Sequence, residues 1–111
     1  MFDYLALFEE YLTVELGLAQ NTRLAYLRDL RLLQKTFNFK SSEELLGVNR
    51  QQLLAYLVQL RQAGRSASTV ARKLASIKAF YRFLTAERSI RRNPAEVLEA
   101  ANRGLHLPKV L

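Results

Sequence analysis

The sequence predicts an all-α fold, a compact bundle of four main helices plus a short fifth. Apolar residues recur at three- and four-residue spacings almost throughout, and no stretch alternates for long at period two. The few glycines and prolines fall where helix ends are expected. With 111 residues, 50% of them hydrophobic and 24% charged, the chain has enough apolar material for one core and too little length for two.

The first helix is expected from Phe2 to Leu16, with Leu5, Phe8, Leu12 and Leu16 as its apolar stripe and Gly17 ending it. The second runs from Gln20 to Phe37 on a stripe of Thr22, Tyr26, Leu30, Leu33 and Phe37. A short turn follows over Ser42 to Leu46, with Ser42 as its cap and Glu43 and Glu44 suited to the positive helix end. The third helix starts after Asn49, whose spacing to Gln52 is that of a capping box, and it ends at Gly64 with Leu53, Leu54, Leu57 and Leu60 inward. The fourth and longest spans Ala67 to about Glu87, capped by Ser66, on Val70, Leu74, Ile77, Tyr81 and Leu84. A fifth begins at Asn93-Pro94, a cap followed by proline at the first helical position, with Glu96 completing a second capping box, and fades by Ala101. Residues 104–111 have no helical period and read as a linker.

Composition narrows the function. The chain has no cysteine, which rules out disulfides and thiolate metal sites and agrees with a reducing cytoplasm. The acidic opening segment has no basic n-region and no long apolar run, so neither a signal peptide nor a membrane span is expected. His106 is the only histidine, with no second ligand nearby, and no metal or cofactor is expected. The net charge of +7 points to a polyanionic partner. Its distribution is lopsided: residues 1–19 hold four acids and no Lys or Arg, whereas the remaining 92 carry +11.

Each helical residue turns about 100° around the axis, so the face opposite each core stripe can be identified. On the second helix it carries Gln20, Asn21, Leu24, Arg28, Arg31 and Lys35, with Asp29 the one acid near its edge. On the fourth it carries Arg65, Ser68, Arg72, Ala75 and Ala79, flanked by Thr69 and Ser76, with no acid before Glu87. A solvated helix usually intersperses Glu with Lys at i,i+4, and these two do not. Small side chains that permit close approach, together with a guanidinium that reaches beyond them, suit a helix in a DNA major groove. The polar starts at Gln20-Asn21-Thr22 and Ser66-Ala67-Ser68-Thr69 also suit phosphate oxygens. Ser66 and Thr69 equally suit plain helix caps, and Arg28, Arg31 and Lys35 equally suit a solvated stripe.

Four landmarks give the pattern specificity. The segment Leu18-Ala19-Gln20-Asn21-Thr22, followed by Tyr26, Asp29-Leu30 and Phe37, resembles the opening of the core-binding domain of tyrosine recombinases and phage integrases. Ser66-Ala67-Ser68-Thr69-Val70-Ala71-Arg72-Lys73-Leu74 with Phe80-Tyr81-Arg82-Phe83-Leu84, then Ile90-Arg91-Arg92-Asn93-Pro94-Ala95, then Leu107-Pro108-Lys109-Val110-Leu111 complete a resemblance to the XerC/XerD-like branch that covers essentially the whole chain. Ala19 departs from the Ser-like cap usual in the family.

The resemblance implies a SAM-like helical domain forming half of a clamp on double-stranded DNA, its second and fourth helices crossing the major groove. By position it brings Asn21, Leu24, Ala25 and Arg28 to the groove from the second helix. Ser68, Thr69, Arg72, Lys73 and Ser76 do so from the fourth, with Arg65 at the phosphate edge. Leu24 and Ala25 imply apolar or shape contacts rather than hydrogen bonds. The first helix would lie near the junction between protomers assembled on DNA, or merely cover the core. The family's chemistry uses a tyrosine nucleophile, arginines, histidines and a lysine in a second domain. No His-x-x-Arg and no tyrosine after Tyr81 occurs here. The expectation is thus a non-catalytic, monomeric DNA-binding domain over residues 1–103, with residues 104–111 starting a linker to a catalytic domain. The parent protein would cut and rejoin DNA, in integration or in resolving chromosome multimers. Two other classes stay open on the residues alone: a helical protein-interaction module with incidental basic faces, and a helix-turn-helix transcriptional regulator, for which a fourth helix of about 20 residues is long.

Overall fold

The computed structural model describes residues 2–98 and is all-helical over them. Four α-helices, α1 (Tyr4–Val14), α2 (Gln20–Thr36), α3 (Arg50–Gln62) and α4 (Ala67–Ala86), are joined by short loops, with a 3-10 turn at Ser42–Gly47 between α2 and α3. Residues 96–98 begin a further helical turn; the rest of the expected fifth helix and the expected linker lie outside the described residues.

The ends of the helices follow from local hydrogen bonding. Asp3 caps α1 by accepting from the amides of Leu5 and Ala6, a role that the apolar pattern did not reveal. Asn49 and Gln52 form the expected reciprocal capping box on α3, and Ser66 accepts from Thr69 N at the start of α4. Both α2 and α4 close with the paired backbone bonds of a Schellman motif: Asn38 N to Lys35 O with Phe39 N to Gln34 O, and Arg88 N to Thr85 O with Ser89 N to Leu84 O. That motif needs a left-handed residue, and here Asn38 (φ 59°) and Arg88 (φ 62°) supply it rather than glycine.

The core lies around α4. Its stripe of Val70, Leu74, Ile77, Tyr81 and Leu84 is buried as expected, and Phe80 and Phe83 are buried beside it. The Phe8 ring meets Phe80 edge-on at 5.2 Å and Phe83 at 5.6 Å, joining α1 to α4. A helix so surrounded needs apolar residues over more than one stripe, which is why the simple outward face of α4 is narrower than the periodicity implies.

Several expected core positions shift. Leu16 is exposed, because α1 ends at Val14 and Gly17, at φ 60°, turns the chain off the helical path. On α2, Leu27 joins Leu30 and Leu33 inside, while Thr22 is exposed and Tyr26 and Phe37 are half-buried. On α3, Tyr56 is buried and Leu54 only half so.

Two polar contacts tie the 3-10 turn into the bundle. Tyr81 donates its hydroxyl to Leu45 O at 2.7 Å, satisfying both groups where water does not reach, and burial raises the phenol's pKa well above its ordinary value. Ser42 does not cap the turn: Ser41 occupies that place without a side-chain bond. The buried Ser42 hydroxyl instead accepts from Tyr4 N at 2.9 Å and donates to Phe2 O at 3.4 Å, fixing the entry to α1. The second expected capping box is absent as well. Asn93 Oδ1 accepts from Ala95 N, two residues on, so its side chain closes a tight turn ahead of the helix rather than capping Glu96.

Candidate nucleic-acid interface

The exposed faces of α2 and α4 meet along the seam where these two helices pack. Gln20, Asn21, Leu24, Arg28, Arg31 and Lys35 are all exposed, and Ala25 is half-buried at the edge. From α4 and the residues before it, Arg65 and Ser68 are exposed and Thr69, Arg72, Ala75 and Ala79 half-buried. Leu24, at 47% exposure, is a large apolar side chain standing among cations.

Two residues expected on that surface lie inside the protein. Lys73 is 3% exposed and Ser76 fully buried, so neither side chain can reach a ligand on the α4 face. What draws them inward is Asp29. The sequence places this acid at the edge of the α2 surface; the structure buries it to 1% exposure. Its carboxylate accepts from Arg72 Nε at 3.0 Å, Arg72 Nη2 at 2.9 Å and Lys73 Nζ at 3.2 Å, while Ser76 Oγ lies 3.4 Å away and donates its one hydrogen to Lys73 O at 2.8 Å. A buried charge persists only if it is paired and hydrogen-bonded, and three N–H donors from Arg72 and Lys73 satisfy that condition.

This network has two electrostatic consequences. The buried charges of Asp29 and Lys73 cancel, so the guanidinium of Arg72, whose side chain is 38% exposed, remains as net positive charge at the surface. Hydrogen bonding to Asp29 also raises the pKa of Arg72 from its ordinary value, outweighing the opposing effect of burial. The one acid of α2 and α4 is thereby withdrawn and neutralised, leaving Arg28, Arg31, Lys35, Arg65 and Arg72 as the cations of these faces, with Asp3 bordering Arg31 and Lys35 in one cleft. Apolar periodicity gives no sign of such a site. The available signal was Asp29 itself, a lone acid on a helix otherwise cationic outside its core.

Of the other acids, Glu9, Glu10 and Glu15 sit on or just after α1 and Glu43 and Glu44 on the 3-10 turn, while Asp3 lines a cleft with Arg31 and Lys35. Among the described residues no cluster of His, Cys, Asp and Glu suited to a metal occurs. Among them, too, no helix is long and apolar enough to cross a membrane.

Comparison with known proteins agrees with this geometry at the level of the family. Residues 5–88 match the family described as phage integrase, N-terminal SAM-like domain. The chain is 38% identical over 104 residues to a tyrosine recombinase XerC of Herpetosiphon aurantiacus, covering 94% of this chain and 34% of that protein. It is 33% identical over 106 residues to the XerC of Lacticaseibacillus casei, covering 95% and 36% respectively. Against the tyrosine recombinase XerD of Agrobacterium fabrum it is 36% identical over 104 residues, covering 94% of this chain and 31% of the relative. The chain therefore spans about a third of the length of these curated relatives. No solved structure matches it. With an all-helical bundle and a family match across most of its length, the chain belongs to the phage integrase N-terminal SAM-like domain family of tyrosine recombinases.

Proposed function

We propose that this domain binds double-stranded DNA, gripping one half of a recombination site by laying α2 and α4 across the major groove. The observation that carries the proposal is the cationic outward face of each of these two packed helices, whose only acid, Asp29, has been withdrawn into the interior. Arg28, Arg31, Lys35 and Arg65 suit phosphate contacts, and the exposed polar start of each helix presents amides to phosphate oxygens. Asn21, Ser68, Thr69 and Arg72 suit base edges, whereas Leu24 and Ala25 suit apolar contact with thymine methyl groups. Lys73 and Ser76 support the surface from beneath. The parent recombinase would use this grip to position a catalytic domain that breaks and rejoins DNA, with further protomers assembled on the same site.

The test is an NMR titration of the 15N-labelled chain with a short duplex at low and at physiological salt. Shifts confined to residues 20–35 and 65–79 that fade with salt are expected. Shifts gathering on residues 2–16, or none at all, would overturn the assignment and favour a protein-interaction module.

A further inference from the structure

Arg72 holds Asp29 side-on. Its Nε–H and one Nη2–H are spent on the two carboxylate oxygens, at 3.0 and 2.9 Å. Guanidinium has five N–H donors in a rigid plane, so both Nη1–H groups and the second Nη2–H remain without a partner among the described residues. Those donors form the end-on fork with which arginine grips two acceptors at once, such as O6 and N7 of guanine or two oxygens of a phosphate. An arginine on an exposed helix face ordinarily samples many rotamers and must be ordered on binding. Here the carboxylate has already fixed the plane of the guanidinium. The carboxylate itself is fixed by a further bond from the buried Lys73. The neighbours of Arg72 on its face, Ser68 and Ala75, are small enough to let an acceptor approach.

The geometry points to Asp29 as a positioning residue that presents the open fork of Arg72 to a pair of DNA acceptors, a role that rests on the DNA-binding reading above. The sign of the effect distinguishes positioning from bulk electrostatics. Replacing Asp29 by Asn makes the protein more positive by one charge, which by itself tightens binding to a polyanion. Loss of a preset fork weakens it.

The test measures affinity by fluorescence anisotropy for the 111-residue chain against a 20-base-pair duplex selected from a random pool. Circular dichroism confirms folding of each variant at the temperature of measurement. Asp29→Asn and Arg72→Lys are each expected to weaken binding by about ten-fold or more. In an Arg72→Ala background, Asp29→Asn is expected to cost nothing further. Affinity of Asp29→Asn equal to or tighter than that of the parent chain overturns the proposal, as does an equal loss with Arg72 already absent. Should Asp29→Asn fail to fold, Arg72→Lys decides, since it keeps the charge and lacks the fork; unchanged affinity overturns the proposal. Sensitivity to 7-deazaguanine identifies the acceptor pair as a base edge, and sensitivity to methylphosphonate identifies it as a phosphate. A parent chain that selects no duplex from the pool overturns the DNA-binding reading itself, and this inference with it.

Discussion

The buried charge network predicts an asymmetry in stability between its two fully buried ionic members. Asp29 and Lys73 are both almost inaccessible, but they depend on each other unequally. If Asp29 is replaced by Ala, Arg72 can turn its half-exposed guanidinium to water, while Lys73 Nζ is left in the interior without its counter-ion. Removing one partner of a buried pair in this way costs about 3–5 kcal/mol. If Lys73 is replaced by Met, Asp29 still keeps both bonds to Arg72, and the buried side chain is shorter by one atom only. The expected cost is then about 0–1 kcal/mol, because the ammonium no longer has to be desolvated. A small domain is stable by about 5–15 kcal/mol in total, so Asp29→Ala should remove a large share of the margin. At about 4–8 °C per kcal/mol it should lower Tm by at least about 12 °C, against a few degrees for Lys73→Met. Urea unfolding followed by circular dichroism, with a common m-value, measures both. Equal losses for the two variants, or less than about 1 kcal/mol for Asp29→Ala, would refute the pairing as described.

Three further outcomes are expected. Tyr81→Phe leaves the buried Leu45 carbonyl without its donor and should cost about 1–3 kcal/mol at neutral pH in the same urea assay. Because burial raises the Tyr81 pKa in the folded state, its contribution is complete below the ordinary value of about 10 and is lost as pH rises beyond it; the fall in Tm from about pH 9 to 11 should be shallower in Tyr81→Phe. Arg88→Gly relieves a left-handed side-chain-bearing residue at the end of α4 and should raise stability by about 0.5–1 kcal/mol in thermal melts. In a series of DNA titrations at increasing salt, Arg31→Ala should reduce the logarithmic slope by about 0.9, whereas Lys73→Met, from an interior position, should leave it unchanged.

The order and approximate bounds of α1 to α4 were legible in the sequence because they depend on apolar spacing and on local caps such as Asn49 and Ser66, both of which act over a few residues. The side of each helix that faces its neighbours was less so. Tyr26 and Thr22 fit the stripe of α2 as well as Leu27 does, and only the position of α4 selects Leu27. The exposed residues of α2 were found by counting turns. Lys73 was placed at the groove by the family resemblance and Ser76 at the flank by periodicity; neither signal registers the buried acid that Lys73 pairs with, since Asp29 lies 44 residues from Lys73 along the chain. Ser42 escaped for the same reason, its partners lying 38 and 40 residues away on the approach to α1.

The central place of α4 also bears on how the domain comes into being. Phe8 of α1, Asp29 of α2 and Leu45 of the 3-10 turn all find their partners on a helix that begins only at Ala67. On the ribosome these groups emerge well before the helix that covers them. The first sixty or so residues must therefore wait, apolar faces uncovered, until α4 clears the exit tunnel at about 5–20 residues per second. Released chains truncated ahead of Tyr81 would present this surface to chaperones and proteases, while chains with the whole of α4 outside the tunnel would close in one cooperative step.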